Sequence, residues 1–298
     1  MNTRQYLPMM AMAVLLLIVE AIALYLGEPM DKQGMQAFED PTSSWNSIIY
    51  FAVILVFTAF IMIAFRRKLK WLVQWFILGS IAATLMYVFY PLLTFLPFEA
   101  NAVLTVLLSV GLTALLYKFP EWYVVDIVGV LIGGGAAAIF GISLAIVPTL
   151  LLLLILAVYD AIAVYSTKHM IALAEGVMDL KMPVLLVVPK HLRYSFLTEK
   201  FDKPEREAFF MGLGDAVMPT ILTVSANMFV ATRAVAVLPL VGAVNLPVLG
   251  TILGTLTGFA VLAVFVSRGK PQAGLPFLNG GAILGYAAGC LFAGVPLL

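Results

Sequence analysis

Nine stretches of this chain are apolar over about the length a helix needs to cross a bilayer, roughly 20 residues at about 1.5 Å each. They cover residues 7–26, 47–65, 71–90, 101–117, 123–141, 144–166, 208–232, 246–266 and 277–296. In hydrocarbon every backbone N–H and C=O has to be paired inside its own segment, so runs of this kind become helices. The composition agrees. Of 298 residues, 63% are hydrophobic and only 11% are charged, against about 25% charged in a soluble domain. The expected fold is an all-α polytopic membrane protein with nine transmembrane helices. The first run has too long an apolar core and no small-residue cleavage pattern for a signal peptide, so it is read as a span. The fifth and sixth runs nearly merge, with Gly141 and Pro148 as candidate breakers. Residues 234–245 are apolar but too short to cross, which predicts a loop or re-entrant piece.

The basic residues orient the bundle, because Lys and Arg are retained on the cytoplasmic side. With the N-terminus inside, every Lys and Arg except Lys32 and Arg233 falls on an inner segment. An odd number of spans follows, with the N-terminus cytoplasmic and the C-terminus outside. The chain is then one transmembrane domain, 1–298, with helices 1–6 in 1–166, a cytoplasmic loop at 167–207, and helices 7–9 in 208–298. Within the loop, KHMIALAEGVMDLK at 168–181 has an amphipathic pattern that extends the sixth helix. PVLLVVP at 183–189, bracketed by prolines and rich in Val and Leu, predicts a strand, with packing on the inner rim as its preferred role and strand addition to an unwound substrate as the other.

Several function classes fall away. The net charge of +1 offers no nucleic-acid surface. A single cysteine, Cys290, excludes an internal disulfide and a Cys-based zinc site. The two histidines, His169 and His191, lie outside the apolar runs, so a His-rich metal centre is not expected. No cofactor is called for. The expected surroundings are the cell membrane, as a multi-pass protein in contact with lipid, and an oligomer is compatible with the sequence.

Ionisable side chains at membrane depth are costly and mark function by default. Glu20 in the first run is given a surface-facing or loop-paired role. Asp126, at the start of the fifth, suits the positive end of the helix dipole. Asp160 and Asp215 are different. The sixth helix runs inward and the seventh outward, which places Asp160 about six residues from the inner end of one and Asp215 about seven residues from the inner end of the other. At about 1.5 Å per residue both carboxyls lie about 10 Å deep, and no span carries a Lys or Arg to neutralise them. Two carboxyls in one low-dielectric site cannot both ionise, so the pair holds a single proton. Such a pair can hydrolyse a peptide bond, or it can bind and release a proton or sodium ion. Gly212 and Gly214, on either side of Leu213 and just before Asp215, clear space for a substrate backbone. That favours hydrolysis, helix packing being the alternative. Gly250, Gly254 and Gly258 form one small-residue face and Gly281, Gly285 and Gly289 another, both read as packing seams.

With Tyr159–Asp160 in one apolar run and GLGD, Gly212 to Asp215, in the next, the sequence resembles the presenilin and signal peptide peptidase family of intramembrane aspartyl proteases. The resemblance covers nearly the whole chain. A third family signature, Pro-Ala-Leu before the last helix, aligns with Ala273, Gly274 and Leu275, followed by Pro276. Only the leucine agrees, which suggests a distant, prokaryotic or archaeal member. The resemblance implies that Asp160 and Asp215 are the catalytic pair. It implies that Ala273, Gly274, Leu275 and Pro276 lie near them and position substrate or the active conformation. Tyr159 carries over as the motif partner, with packing between helices as its alternative role. The expected partners are transmembrane proteins or peptides. The orientation, similar to presenilin, implies substrates whose N-termini lie outside. Two other readings use the same acids. One is a proton- or sodium-coupled transporter, which predicts an internal repeat and broken helices, and no half-to-half repeat is evident. The other is a prepilin-peptidase-like membrane protease, whose acids lie at or outside the cytoplasmic face, unlike Asp160 within LLLLILAVYDAIAVY.

Overall fold

The structure, a computed structural model, describes residues 3–166, 185–191, 194–197, 207–238, 241–266 and 272–298. Six helices come first: α1 Thr3–Lys32, α2 Trp45–Arg66, α3 Lys70–Leu92, α4 Phe98–Lys118, α5 Trp122–Ser143 and α6 Ile146–Ala161, the last continued by a π turn at Ile162–Ser166. Strand β1 Leu185–Pro189 and strand β2 Ala208–Gly212 follow, then α7 Leu213–Phe229. A hairpin of β3 Ala234–Leu238 and β4 Gly242–Asn245 leads to α8 Leu246–Val266, and α9 is Leu275–Ala293. Among the described residues, eight helices are long and apolar enough to cross a membrane. The amphipathic segment 168–181 lies outside the described residues.

The seventh expected run does not form one helix. Residues 208–212 are strand, the helix occupies Leu213–Phe229, and Val230 after it is extended. Its 17 residues span about 25 Å. The reason is tertiary: β2 pairs antiparallel with β1, Leu186 opposite Met211 and Val188 opposite Phe209. Apolar periodicity cannot separate a buried strand from the first turns of a buried helix. Within 234–245, expected as a loop or re-entrant piece, β3 and β4 pair antiparallel with a register shift between Ala234 and Ala236. The soft boundary between the fifth and sixth runs breaks between Ser143 and Ile146. Pro148 sits in the first turn of α6, where a missing N–H leaves no helical bond unmade.

Helix α5 is the axis of the bundle, and its glycine triplet explains how three neighbours approach it. A Cβ on Gly133 would press on Leu213, one on Gly134 on Ile22 and one on Gly135 on Val88, which brings α7, α1 and α3 against one turn. β1 lies between two apolar layers, in line with its unbroken run of Val and Leu. Leu186 and Val188 pack with Met12 and Leu16 of α1, while Val187 packs on the other face with Val125 and Val128 of α5 and with Phe196. The strand expected from PVLLVVP is therefore present at Leu185–Pro189, and it is buried beside the start of α5. The two glycine faces of α8 and α9 meet each other. A Cβ on Gly250 would strike the Gly285 carbonyl, and one on Gly254 the Gly281 carbonyl. Such backbone contact is what small residues permit in membranes. The outward faces of α2 and α4 carry exposed Ile, Val, Leu and Phe, as lipid contact requires.

Candidate active site

Asp160 is the second-last residue of α6, and it is 7% exposed. Its Oδ2 accepts the Leu275 N–H at 3.1 Å, and the Gly274 N–H donates to the same carboxyl. These are the first N–H groups of α9, which has no side-chain cap of its own. Free N–H groups at a helix start favour an acidic partner, and here α6 supplies it across the bundle.

Asp215 lies in the first turn of α7, not two turns into a helix, because 208–212 are strand. It is partly buried. Gly212 occupies the cap position and its N–H donates to the Asp215 carboxyl, the reach-back of a third-position acid to the cap. A Cβ on Gly274 would sit 2.7 Å from Asp215 Oδ2 and 2.8 Å from Oδ1. Both acids thus converge on one dipeptide, Gly274–Leu275, from opposite sides. They are close enough to interact electrostatically, and neither forms an ion pair with a described residue.

The other expected residues divide. Gly212 touches Asp215, and a Cβ there would lie 3.2 Å from Oδ2. Gly214 is exposed, and a Cβ there would face open space. Leu213 points the other way, onto Gly133 of α5. Ala273 is buried and Leu275 packs on the main core. Pro276 is in the first turn of α9, where it withholds no needed donor. Tyr159 packs edge-on against Phe51 of α2 with ring centroids 5.5 Å apart.

Three features escape a reading of the sequence. Asp126 Oδ1 accepts the Val187 N–H at 2.7 Å, so its partner is the middle of β1 rather than the dipole of its own helix. Tyr165 Oη donates to Gln272 Oε1 at 2.9 Å and accepts the Ala273 N–H at 3.2 Å. Glu20, expected at a surface or a loop, is 2% exposed and faces α7. Thr223 Oγ1 donates to its Oε1 at 3.4 Å, and the Thr255 hydroxyl of α8 also bonds the carboxyl. An apolar helix does not reveal which side its neighbours cover, and α1 continues to Lys32, which carries Glu20 deep into the bundle. A cavity of about 960 Å³ opens between α1, the far end of α7 and the β3–β4 hairpin. It is lined by Leu24, Asn227 and Asn245 among others, and by neither Asp160 nor Asp215.

A helical bundle with two acids meeting at the start of its last helix defines a multi-pass membrane protein with an aspartyl centre. Residues 12–295 match the family profile described as signal-peptide peptidase, presenilin aspartyl protease. Two solved structures, both described as a presenilin family intramembrane aspartate protease, are similar over nearly the whole length. One, in a C222 crystal form, is 40% identical with a TM-score of 0.72, covering 96% of this chain and 100% of its own. The other, in a P2 form, is 41% identical with a TM-score of 0.71, covering 96% and 99%. No curated protein is significantly similar in sequence. The chain belongs to the presenilin and signal peptide peptidase family. Family and structural neighbours together indicate an intramembrane aspartyl protease, and they do not favour the transporter.

Proposed function

We propose that the chain hydrolyses peptide bonds within transmembrane substrates, with Asp160 and Asp215 as the catalytic pair and water as the nucleophile. The observation that carries this is the convergence of both carboxyls on Gly274–Leu275. One proton shared between them suits both halves of the reaction. The ionised partner takes a proton from water, and the protonated partner hydrogen-bonds the scissile carbonyl. Gly214 leaves room for a substrate backbone beside Asp215, Gly212 and Gly274 let the carboxyl itself lie against the backbone, and Ala273, Leu275 and Pro276 set where α9 begins.

A helical substrate has to unwind before it can be cut, and in lipid its freed backbone groups need partners. Strand addition supplies them. Asp126 takes the outward N–H of Val187 and Pro189 has no N–H, so a third strand joins along β2, which runs directly into Gly212 and Asp215. In this reading α7 also crosses the membrane and brings the spans to nine, the N-terminus is cytoplasmic, and substrates sit in the cell membrane with their N-termini outside.

The test uses purified protein in proteoliposomes with a labelled transmembrane peptide. Cleavage is expected from the native protein and is expected to be lost in both Asp160→Asn and Asp215→Asn. Cleavage retained by either variant removes that residue from the pair. Ion flux without any cleavage would restore the transporter.

A further inference from the structure

We propose that Tyr165 is a positioning residue for the reaction: its hydroxyl clamps the chain entering α9, and so holds the Gly274 and Leu275 N–H groups on Asp160. This rests on the assignment of Asp160 to the catalytic pair.

The geometry begins with the π turn at Ile162–Ser166. In an α-helix, residues five apart face different sides. A turn closed by i→i+5 bonds is wider and returns the fifth residue toward the side of the first. Tyr165 is five residues after Asp160 and reaches the same incoming segment. Its hydroxyl makes two bonds there, one as donor to Gln272 and one as acceptor from Ala273. The next two residues, Gly274 and Leu275, donate to Asp160. Four consecutive residues are thus tied to one end of α6 by two side chains.

Such a clamp is needed because of how α9 packs. Its main partner is α8, across a seam of glycine backbone. A seam without side chains offers few knobs to fix one helix along the other. Against α6, the axial position of α9 is set by Asn279, whose Nδ2 donates to the Leu153 carbonyl at 3.0 Å, and by Tyr165 at the end nearest the acids. A small slide of α9 would withdraw two donors from Asp160 and move the Gly274 backbone against Asp215. Misplacement on the scale of 1 Å is worth about 100-fold in rate.

The ring of Tyr165 is 53% exposed, so its hydroxyl, not its packing, holds the segment, and Tyr165→Phe leaves the fold intact. The experiment compares native protein, Tyr165→Phe, Gln272→Ala and the double variant. Tyr165→Phe is expected to lower kcat about tenfold or more with KM within about twofold. Amide exchange in the peptide covering 272–278 is expected to speed up, while protection in α5 is unchanged. Gln272→Ala gives a smaller loss, and the double variant is no worse than Tyr165→Phe, as one shared interaction requires. Turnover of Tyr165→Phe equal to native, a loss confined to KM, or unchanged exchange at 272–278 would each overturn the clamp. If native protein cleaves nothing, the protease assignment fails, while the exchange measurement still decides whether Tyr165 holds the segment.

Discussion

At the scale of single residues, the constraint that bears most directly on the two acids is at Gly274. Its Cα lies so near Asp215 that even a methyl group would meet the carboxylate at 2.7 Å. A branched side chain there can be relieved only by moving Asp215 or the start of α9. Gly274→Val is therefore expected to lower cleavage about 100-fold, with the protein still extracted as a folded, monodisperse species. Native-like turnover would show that Asp215 stands elsewhere during the reaction. Glu20 makes the opposite case. It is buried against α7 and α8 with the Thr223 and Thr255 hydroxyls on its carboxyl and no basic partner among the described residues, and a buried acid without a counter-charge costs stability. Glu20→Met is expected to raise the thermal midpoint in detergent, by about 1 kcal/mol or more in free energy. A lowered midpoint would mean that the acid has a partner that the fold relies on.

At the scale of elements, the β1–β2 pair is what departs most from a bundle of plain spans. β1 is covered on both faces by apolar side chains and fixed at its centre by Asp126. Its neighbouring chain is fixed as well, because Glu121 accepts from Ser195 Oγ at 2.7 Å and from the Phe196 N–H at 3.0 Å. Both acids stand at the start of α5, so one helix end anchors the sheet from which α7 departs. Removing the buried acceptor leaves the Val187 N–H unpaired. Asp126→Ala is expected to cost about 2 kcal/mol and to speed amide exchange at Leu186–Val188, with α8 and α9 still protected. Equal exchange in the variant would show that packing alone holds the strand.

At the scale of the whole molecule, orientation follows from the basic residues on alternate segments. With the proposed topology, a cysteine at Leu298 is expected to react with a membrane-impermeant maleimide added to intact cells, and one at Asn2 only after permeabilisation. Native Cys290 is fully buried and adds little background. The reverse pattern would invert the topology and with it the direction in which substrate enters. Much of this molecule was legible in its sequence, for reasons that differ from element to element. Eight spans follow from hydropathy because lipid permits so few structures. The strand in PVLLVVP was visible from its composition and its flanking prolines. The start of the seventh helix was not, since FFM at 209–211 fits strand and helix alike, and only pairing with β1 decides. Asp160 and Asp215 stood out because each is an acid in hydrocarbon without a basic neighbour in the sequence. Tyr165 gave no such signal, since a tyrosine near a membrane interface is ordinary.

The sequence by itself determined that this is a helical membrane protein with two isolated acids at depth, because apolar length and acid placement are local properties that folding cannot alter, and its Tyr159–Asp160 and GLGD motifs carried the resemblance to the presenilin and signal peptide peptidase family. Only the tertiary structure decided that both acids meet at Gly274–Leu275, that Asp215 opens a helix rather than lying within one, and that Glu20 is buried. Those outcomes depend on which faces of separate helices are brought together, and such contacts between residues far apart in the chain leave no mark on the periodicity of any one segment.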